Sequence, residues 1–377
     1  MTEASITFAG GPIFDGTELR DGYAARFRNG VMDTLVPEDQ LTGEDLIENL
    51  SGNILSPGYV DLQVNGGGGV MFNDDPSVET LTRIADAHRG LGATRILPTL
   101  ITDTAEKTRA AIDAAVEAVR SGVSGIAGLH LEGPHLSERR KGAHDAALIR
   151  PMQRSDLDEI TKAAKDLPAL MVTLAPESTT VEQVEALSRA GVIVSLGHTD
   201  ASFETCMAYA NAGASCVTHL FNAMSQLGSR EPGLVGAAFS CGSMSAGLIA
   251  DGIHVHPETI RIAWTAKRGP GQVFLVSDAM AVAGTSLTEF RLEGRPIHRE
   301  NGRLTLEDGT LAGADLSLTK AVQLLSQQVG IPLQQALASA TSVPHRMISG
   351  AGEVPRPTLS QMIMIAPDFS EVRPVRP

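Results

Sequence analysis

The sequence predicts an α/β fold: a (β/α)8 TIM-like barrel with a small β-sandwich domain formed by the N-terminal segment and the C-terminal tail. Three observations carry this. Eight short aliphatic or β-branched runs alternate with helical patterns from residue 58 onward, over a span close to the ~250 residues such a barrel uses. Polar residues collect where those runs stop. The first 55 residues and the last twenty or so show strand-like pieces and turn residues without a helical period.

The strand candidates, in order, are 58–64 (GYVDLQV), 94–98 (TRILP), 126–132 (IAGLHLE), 170–174 (LMVTL), 192–197 (VIVSLG), 214–219 (ASCVTH), 246–250 (AGLIA) and 272–277 (QVFLVS). Between them, apolar residues recur at three- and four-residue intervals near 77–90, 104–120, 155–166, 180–190, 201–212 and 256–267, and again near 315–329. Asp103 or Thr104 is a candidate cap for the second helix, with Glu106 in its first turn. An open doubly wound sheet is the rival architecture, but Gly66–Gly69 lacks the Gly-x-Gly-x-x-Gly spacing of its dinucleotide turn. "SITFAGGPIFDG" and "DLIENLSGNILSPG" at one end and "SQMIMIAPDFSEVRPVRP" at the other read as strands and turns. The expected division is 1–56 plus 350–377 for the small β-domain and 57–349 for the barrel, with Pro57 at the boundary.

Composition bounds the function. A chain of 377 residues with 42% hydrophobic content can bury a full core. Its net charge of −14 argues against nucleic acid or an anionic membrane as partner. An anionic substrate therefore needs a local set of donors. Cys206, Cys216 and Cys241 lack paired spacing and read as buried thiols of a reducing compartment. The start, "MTEASITFAG", lacks the basic-then-apolar pattern of a leader. The expectation is a cytoplasmic protein.

In a barrel of this kind chemistry sits at the C-terminal strand ends. Strand one ends in Gln63 and Asn65, positions where many metal hydrolases carry His-x-His. Strand three gives His130 and Glu132, strand five His198, and strand six His219 and Asn222. Strand seven leads to Asp251, His254 and His256, and strand eight to Asp278. Glu132, His198 and His219 form a two-histidine, one-carboxylate set suited to one divalent ion per subunit, Zn2+ first and Fe2+ second. Such an ion lowers the pKa of water toward ~7, and Asp278 is placed to move the proton. Gln63 and Asn65 are neutral amides, so they suit hydrogen bonds to water or substrate and a one-metal site. His254 and His256 read as one ligand-facing and one solvent-facing histidine, and His130 as packing or as support behind the site residues. His88, His298 and His345 read as surface residues without partners.

The motifs "PGYVDLQVNGGGGVMFND", "GLHLEGPHLSERRKGAH", "SLGHTDASFE", "VTHLFNAMSQLGSREPGLVG", "ADGIHVHP", "LVSDAM" and "LAGADLSL" resemble, in order, those of the N-acetylglucosamine-6-phosphate deacetylases of the amidohydrolase superfamily. The resemblance covers about residues 53 to 345. It implies hydrolysis of the N-acetyl group of N-acetyl-D-glucosamine 6-phosphate, giving glucosamine 6-phosphate and acetate. It assigns Glu132, His198 and His219 to the metal and Asp278 to acid/base catalysis. His144 would polarise the acetyl carbonyl, and Asn222, Ala223, Arg230 and His254 would bind the phosphorylated substrate. It also implies a homodimer in which Arg230 crosses to the neighbouring site. The segment "TSVPHRMISGAGEVPRPTLSQMIMIAPD" departs from the family pattern.

Other readings are set aside on residues. Cyclic-amide hydrolases of this superfamily use strand-one histidines and a strand-four lysine, and "LMVTLAPES" has none. A silent scaffold would be expected to lose ligands that this chain keeps. N-acetylgalactosamine 6-phosphate remains an alternative substrate, since the two sugars differ at one hydroxyl.

Overall fold

A computed structural model describes residues 5–42, 46–350 and 356–375. The ends of the expected small domain and part of the divergent C-terminal segment lie outside the described residues. Eight parallel strands form one sheet in sequence order: β1 (Tyr59–Val64), β2 (Ala93–Ile101), β3 (Leu129–Glu132), β4 (Leu170–Leu174), β5 (Ile193–Leu196), β6 (Cys216–Val217), β7 (Ser245–Leu248) and β8 (Val273–Leu275). Each is an apolar run buried on both faces, as strands between a packed interior and a helical layer must be.

The sheet closes between β1 and the residues after β8. Asp278 N–H donates to Gln63 O at 3.1 Å and Asn65 N–H to Ala279 O at 2.9 Å. Lower down, the buried Asp61 carboxylate accepts from Ser277 N–H at 3.2 Å and Gln63 N–H at 3.2 Å, so a side chain completes the seam. Outside the strands lie the expected helices. Val78–Gly90 is capped by Ser77, and Ala105–Arg120 by Thr104, with Glu106 in its first turn. Helices Gly233–Ser240, Leu333–Ala340 and Ser342–Ser349 complete the layer.

Two regions stand beside the barrel. In the first, strand Ile54–Pro57 pairs antiparallel with Met362–Ile365, so the N-terminal segment and the tail share one five-stranded sheet. A four-stranded sheet faces it across Phe8, Ile13, Phe27, Leu50, Leu55 and Met362. The second region is a three-stranded antiparallel sheet of Glu289–Leu292, Arg295–Glu300 and Arg303–Thr305, which sequence reading missed. Its turns are Glu293–Gly294 and Asn301–Gly302, each with positive φ at both residues. That is the geometry of tight hairpin loops, and Asn-Gly is its strongest signal. Leu292, Ile297 and Leu304 pack onto Met71, Ile101 and Met280, placing this sheet as a lid over the barrel mouth.

Candidate active site

The strand ends turn sharply where the polar residues begin. His198, His219 and Asp278 all have positive φ, at 48°, 28° and 50°. Left-handed backbone at a non-glycine residue costs roughly 1–2 kcal/mol and persists where surroundings enforce it, typically at functional sites. Gly197 makes the approach possible: a Cβ there would lie 2.9 Å from Thr218 Cβ and 3.0 Å from Thr173 Cγ2.

Three of the expected residues converge. Glu132 Oε1 is 3.1 Å from both His198 Nε2 and His219 Nε2, and the two nitrogens are 3.0 Å apart, all buried. His198 Nδ1 lies 2.7 Å from the Arg140 carbonyl oxygen. A carbonyl only accepts, so Nδ1 carries a proton and Nε2 is the ring atom turned toward Glu132 and His219. An imidazole nitrogen and a carboxylate oxygen at this distance share either a proton or a cation. The contacts are also close to the ~3.3 Å edge of a tetrahedral shell built from ~2.0 Å bonds. This buried set fits one divalent ion. Burial raises the Glu132 carboxyl, but hydrogen bonds and charge from the two histidines outweigh it and hold the group well below the usual range. For His219 burial opposes charge, yet the Glu132 carboxylate wins and raises it.

Asp278 lies beside this set in an amide cradle. Asn65 Nδ2 donates to its Oδ1 at 2.7 Å, and Gln63 Nε2 donates to the same oxygen at 3.3 Å and to Glu132 Oε2 at 3.1 Å. Burial, then the neighbouring Glu132 charge, pushes the Asp278 carboxyl up to about 6. That is the range in which a carboxylate both takes and returns a proton near neutral pH.

His144, in a loop whose sequence is polar, is buried and packs its ring 4.4 Å from that of His198. Thr102 N–H donates to its Nδ1 at 3.3 Å and Thr102 Oγ1 is 2.8 Å away. Nδ1 is therefore the acceptor and Nε2 carries the proton. Burial lowers its pKa well below the ordinary value, so it is a neutral donor. Across the mouth, His254 Nδ1 donates to Asp251 Oδ2 at 2.6 Å, and Asp251 Oδ1 accepts from Ile253 and His254 N–H groups at 2.8 Å. Its Nε2 is thereby left for a ligand. His256 turns outward and caps helix Pro257–Ala266.

Asn65, Glu132, His144, His198, His219 and Asp278 share a cavity of about 420 Å³, which Asn222, Ala223 and His254 also line. That volume suits a small ligand. Gln63 stands behind its wall, bonded to Glu132 and Asp278. Arg230 is exposed on the loop after β6, away from this cavity. His130 is buried inside the barrel, with Nδ1 donating to Leu62 O at 3.0 Å and Nε2 accepting from Thr173 Oγ1 at 2.7 Å. Cys241, expected buried, is half-buried, and two of the histidines read as surface residues are buried. His88 is buried against Gly66 O at 3.0 Å, and buried His345 meets Arg95 and Ser349. Both were read from their own segments, whereas Gly66 and Arg95 come from other elements. Sequence reading also missed Thr102, the Arg140 carbonyl and lid residue Leu292, which lines the cavity.

The amidohydrolase family model matches residues 54–351. The N-acetylgalactosamine-6-phosphate deacetylase of Shewanella sp. (strain ANA-3) is 44% identical over 299 residues, 79% of this chain and 75% of that one. The N-acetylglucosamine-6-phosphate deacetylase of Haemophilus influenzae is 34% identical over 367 residues, 94% of this chain and 93% of the relative. Among solved structures, N-acetylglucosamine-6-phosphate deacetylase from Pasteurella multocida superposes with a TM-score of 0.91 at 31% identity, covering 98% of this chain and 97% of that chain.

Proposed function

Because the chain belongs to the amidohydrolase family, we propose that it is a metal-dependent deacetylase of an N-acetyl amino-sugar 6-phosphate, with N-acetyl-D-glucosamine 6-phosphate as the first substrate reading. The observation that carries it is the meeting of a Glu132, His198 and His219 set, an amide-cradled Asp278 and a neutral His144 donor in one cavity. When bound at that set, a divalent ion, Zn2+ before Fe2+, supplies Lewis acidity. One ion per subunit suffices, because Gln63 and Asn65 place neutral amides on the strand-one side.

The chain's own residues then divide the work. Asp278 takes a proton from the attacking water, whose oxygen bonds to the acetyl carbon, and returns it to the nitrogen as the C–N bond breaks. His144 Nε2–H donates to the acetyl carbonyl oxygen, where negative charge develops. Gln63 and Asn65 hold the Asp278 carboxylate in place. Asn222, the backbone at Ala223 and His254 receive the sugar phosphate. Arg230 of one subunit of a homodimer completes the neighbouring site with a planar fork matched to phosphate oxygens. A second reading, the galacto epimer, is favoured by the 44% identity to the Shewanella relative. Among the described residues no helix is long and apolar enough to cross a membrane. The three free thiols suit the reducing cytoplasm.

The test is acetate release from both N-acetylated sugar 6-phosphates by metal-loaded protein. The ratio of kcat/KM values assigns the epimer. No turnover of either sugar by folded, metal-containing protein overturns the proposal and leaves a silent scaffold.

A further inference from the structure

The loop after β3 does more than carry His144. Its Arg140 carbonyl fixes the His198 tautomer, and the Arg140 side chain binds Asp200 Oδ1 through Nε at 2.9 Å and Nη2 at 2.6 Å. That anchors one end of the loop to the strand-five side. The other end is held from above. Arg295, the first residue of its lid strand, donates from Nη2 to the Ala143 carbonyl at 2.7 Å. The same Nη2 meets Glu293 Oε2 at 3.0 Å.

Glu293 is an unusual residue for its place. It occupies the first position of the hairpin turn with φ 50°, where Asn, Asp or Gly avoids strain, and its Oε1 is buried without a partner among the described residues. The turn therefore keeps a long acidic side chain that folds back onto Arg295. Ala143 itself packs against the apolar cluster of Met71, Ile101 and Leu292, and both Ala143 and Leu292 line the cavity.

We infer that Arg295 is a positioning residue: it latches the lid sheet to the Ala143–His144 segment and so holds His144 against the site, with Glu293 aiming the guanidinium. The inference rests on the proposed function only in taking His144 as the donor to the reacting carbonyl. One guanidinium nitrogen carries two protons, one for each acceptor. Met keeps the length of the side chain and loses both bonds, whereas Lys keeps a donor.

The test uses Arg295→Met, Arg295→Lys and Glu293→Gln in the full chain, and Arg295→Met again in a His144→Ala background. Steady-state acetate release is measured alongside amide exchange in substrate-free protein. Arg295→Met lowers kcat by ~10–100-fold, the usual range for an outer partner of a site residue, while KM moves less than ~3-fold. Lys restores most of the loss, and Glu293→Gln gives a smaller one. Without His144 the same Arg295→Met change costs less than ~3-fold, because both substitutions act through one group. Exchange quickens at the His144 amide, which bonds Lys141 O at 3.0 Å, and not across the barrel strands. Equal losses in both backgrounds, or unchanged kcat with unchanged exchange, overturn the latch. Should the protein turn over neither sugar phosphate, exchange alone decides: faster exchange confined to 138–147 upholds the latch, and unchanged exchange overturns it.

Discussion

Two polar clusters share the mouth of the barrel, built from the same kind of strand end and opposite in design. On the side of β3, β5 and β6, Glu132, His198 and His219 aim acceptor atoms at one point, with pairwise distances of 3.0–3.1 Å. On the side of β1 and β8, Gln63 and Asn65 aim N–H donors at a single carboxylate, Asp278. The first cluster brings one carboxylate and two imidazole nitrogens to a point, a set that suits a divalent ion. The second surrounds a carboxylate with amide donors, and burial with the Glu132 charge pushes that carboxyl up to about 6. The Gln63 amide is the hinge between them, donating to Glu132 and Asp278 together. One rim thus sets a metal-type donor cluster beside an amide-held carboxylate, with one neutral amide bonded to both carboxylates.

The largest effects come from removing the defining member of each cluster. Asp278→Asn is expected to lower kcat by ~10⁴-fold, at the upper end of what one general acid/base supplies, with KM and bound metal retained. Steady-state acetate release and metal analysis check both halves. His198→Ala is expected to fail differently, by losing the metal itself. Elemental analysis should show the stoichiometry falling well below one per subunit, and activity should fall by at least ~10²-fold. If the two variants lost metal alike, the division between the clusters would be wrong.

A subtler substitution sharpens the comparison. The Asn65 hydrogen bond lowers the Asp278 pKa against burial and the Glu132 charge, which raise it to about 6. A cation at the neighbouring cluster lowers it further. Because a base works deprotonated, activity falls as pH drops through this pKa. Asn65→Ala should therefore move the acidic limb of the kcat profile to higher pH and reduce kcat by ~10-fold at neutral pH. An unmoved limb would show that the amide does not tune the carboxylate.

Much of this was legible in the sequence because a barrel strand announces itself as a short apolar run, and its last polar residue marks the rim. Glu132, His198, His219 and Asp278 each stand at such an end. What could not be read depends on contacts between distant elements. His144 lies in a polar loop and is buried against Thr102 and His198, which come from other elements. His88 and His345 are buried by glycine and arginine partners from other segments. The lid had a readable signal in Asn301–Gly302, hidden by charged residues that alternate along strands with one solvent face. Arg230 is exposed and does not line the cavity within its own chain.

The smallest expected effect falls one layer below the rim, at the seam that holds the two clusters in register. Asp61 closes β1 onto β8 by accepting from Ser277 and Gln63 N–H groups. Burial outweighs those bonds and pushes its carboxyl up to about 7. An acid whose folded pKa lies above its unfolded value of ~3.9 favours the folded state while protonated, and that contribution is lost as pH rises from ~4 through 7. Asp61→Asn keeps an acceptor oxygen for the seam and removes the charge. It should raise stability at pH 8 by about 1–3 kcal/mol relative to the parent and leave stability at pH 4, near the unfolded pKa, nearly unchanged. Denaturant unfolding at the two pH values measures the difference. A gain of equal size at both would mean that titration of Asp61 is not what the seam responds to. A loss at both would mean that a carboxylate is needed there to tie the strand carrying the amides to the strand carrying Asp278.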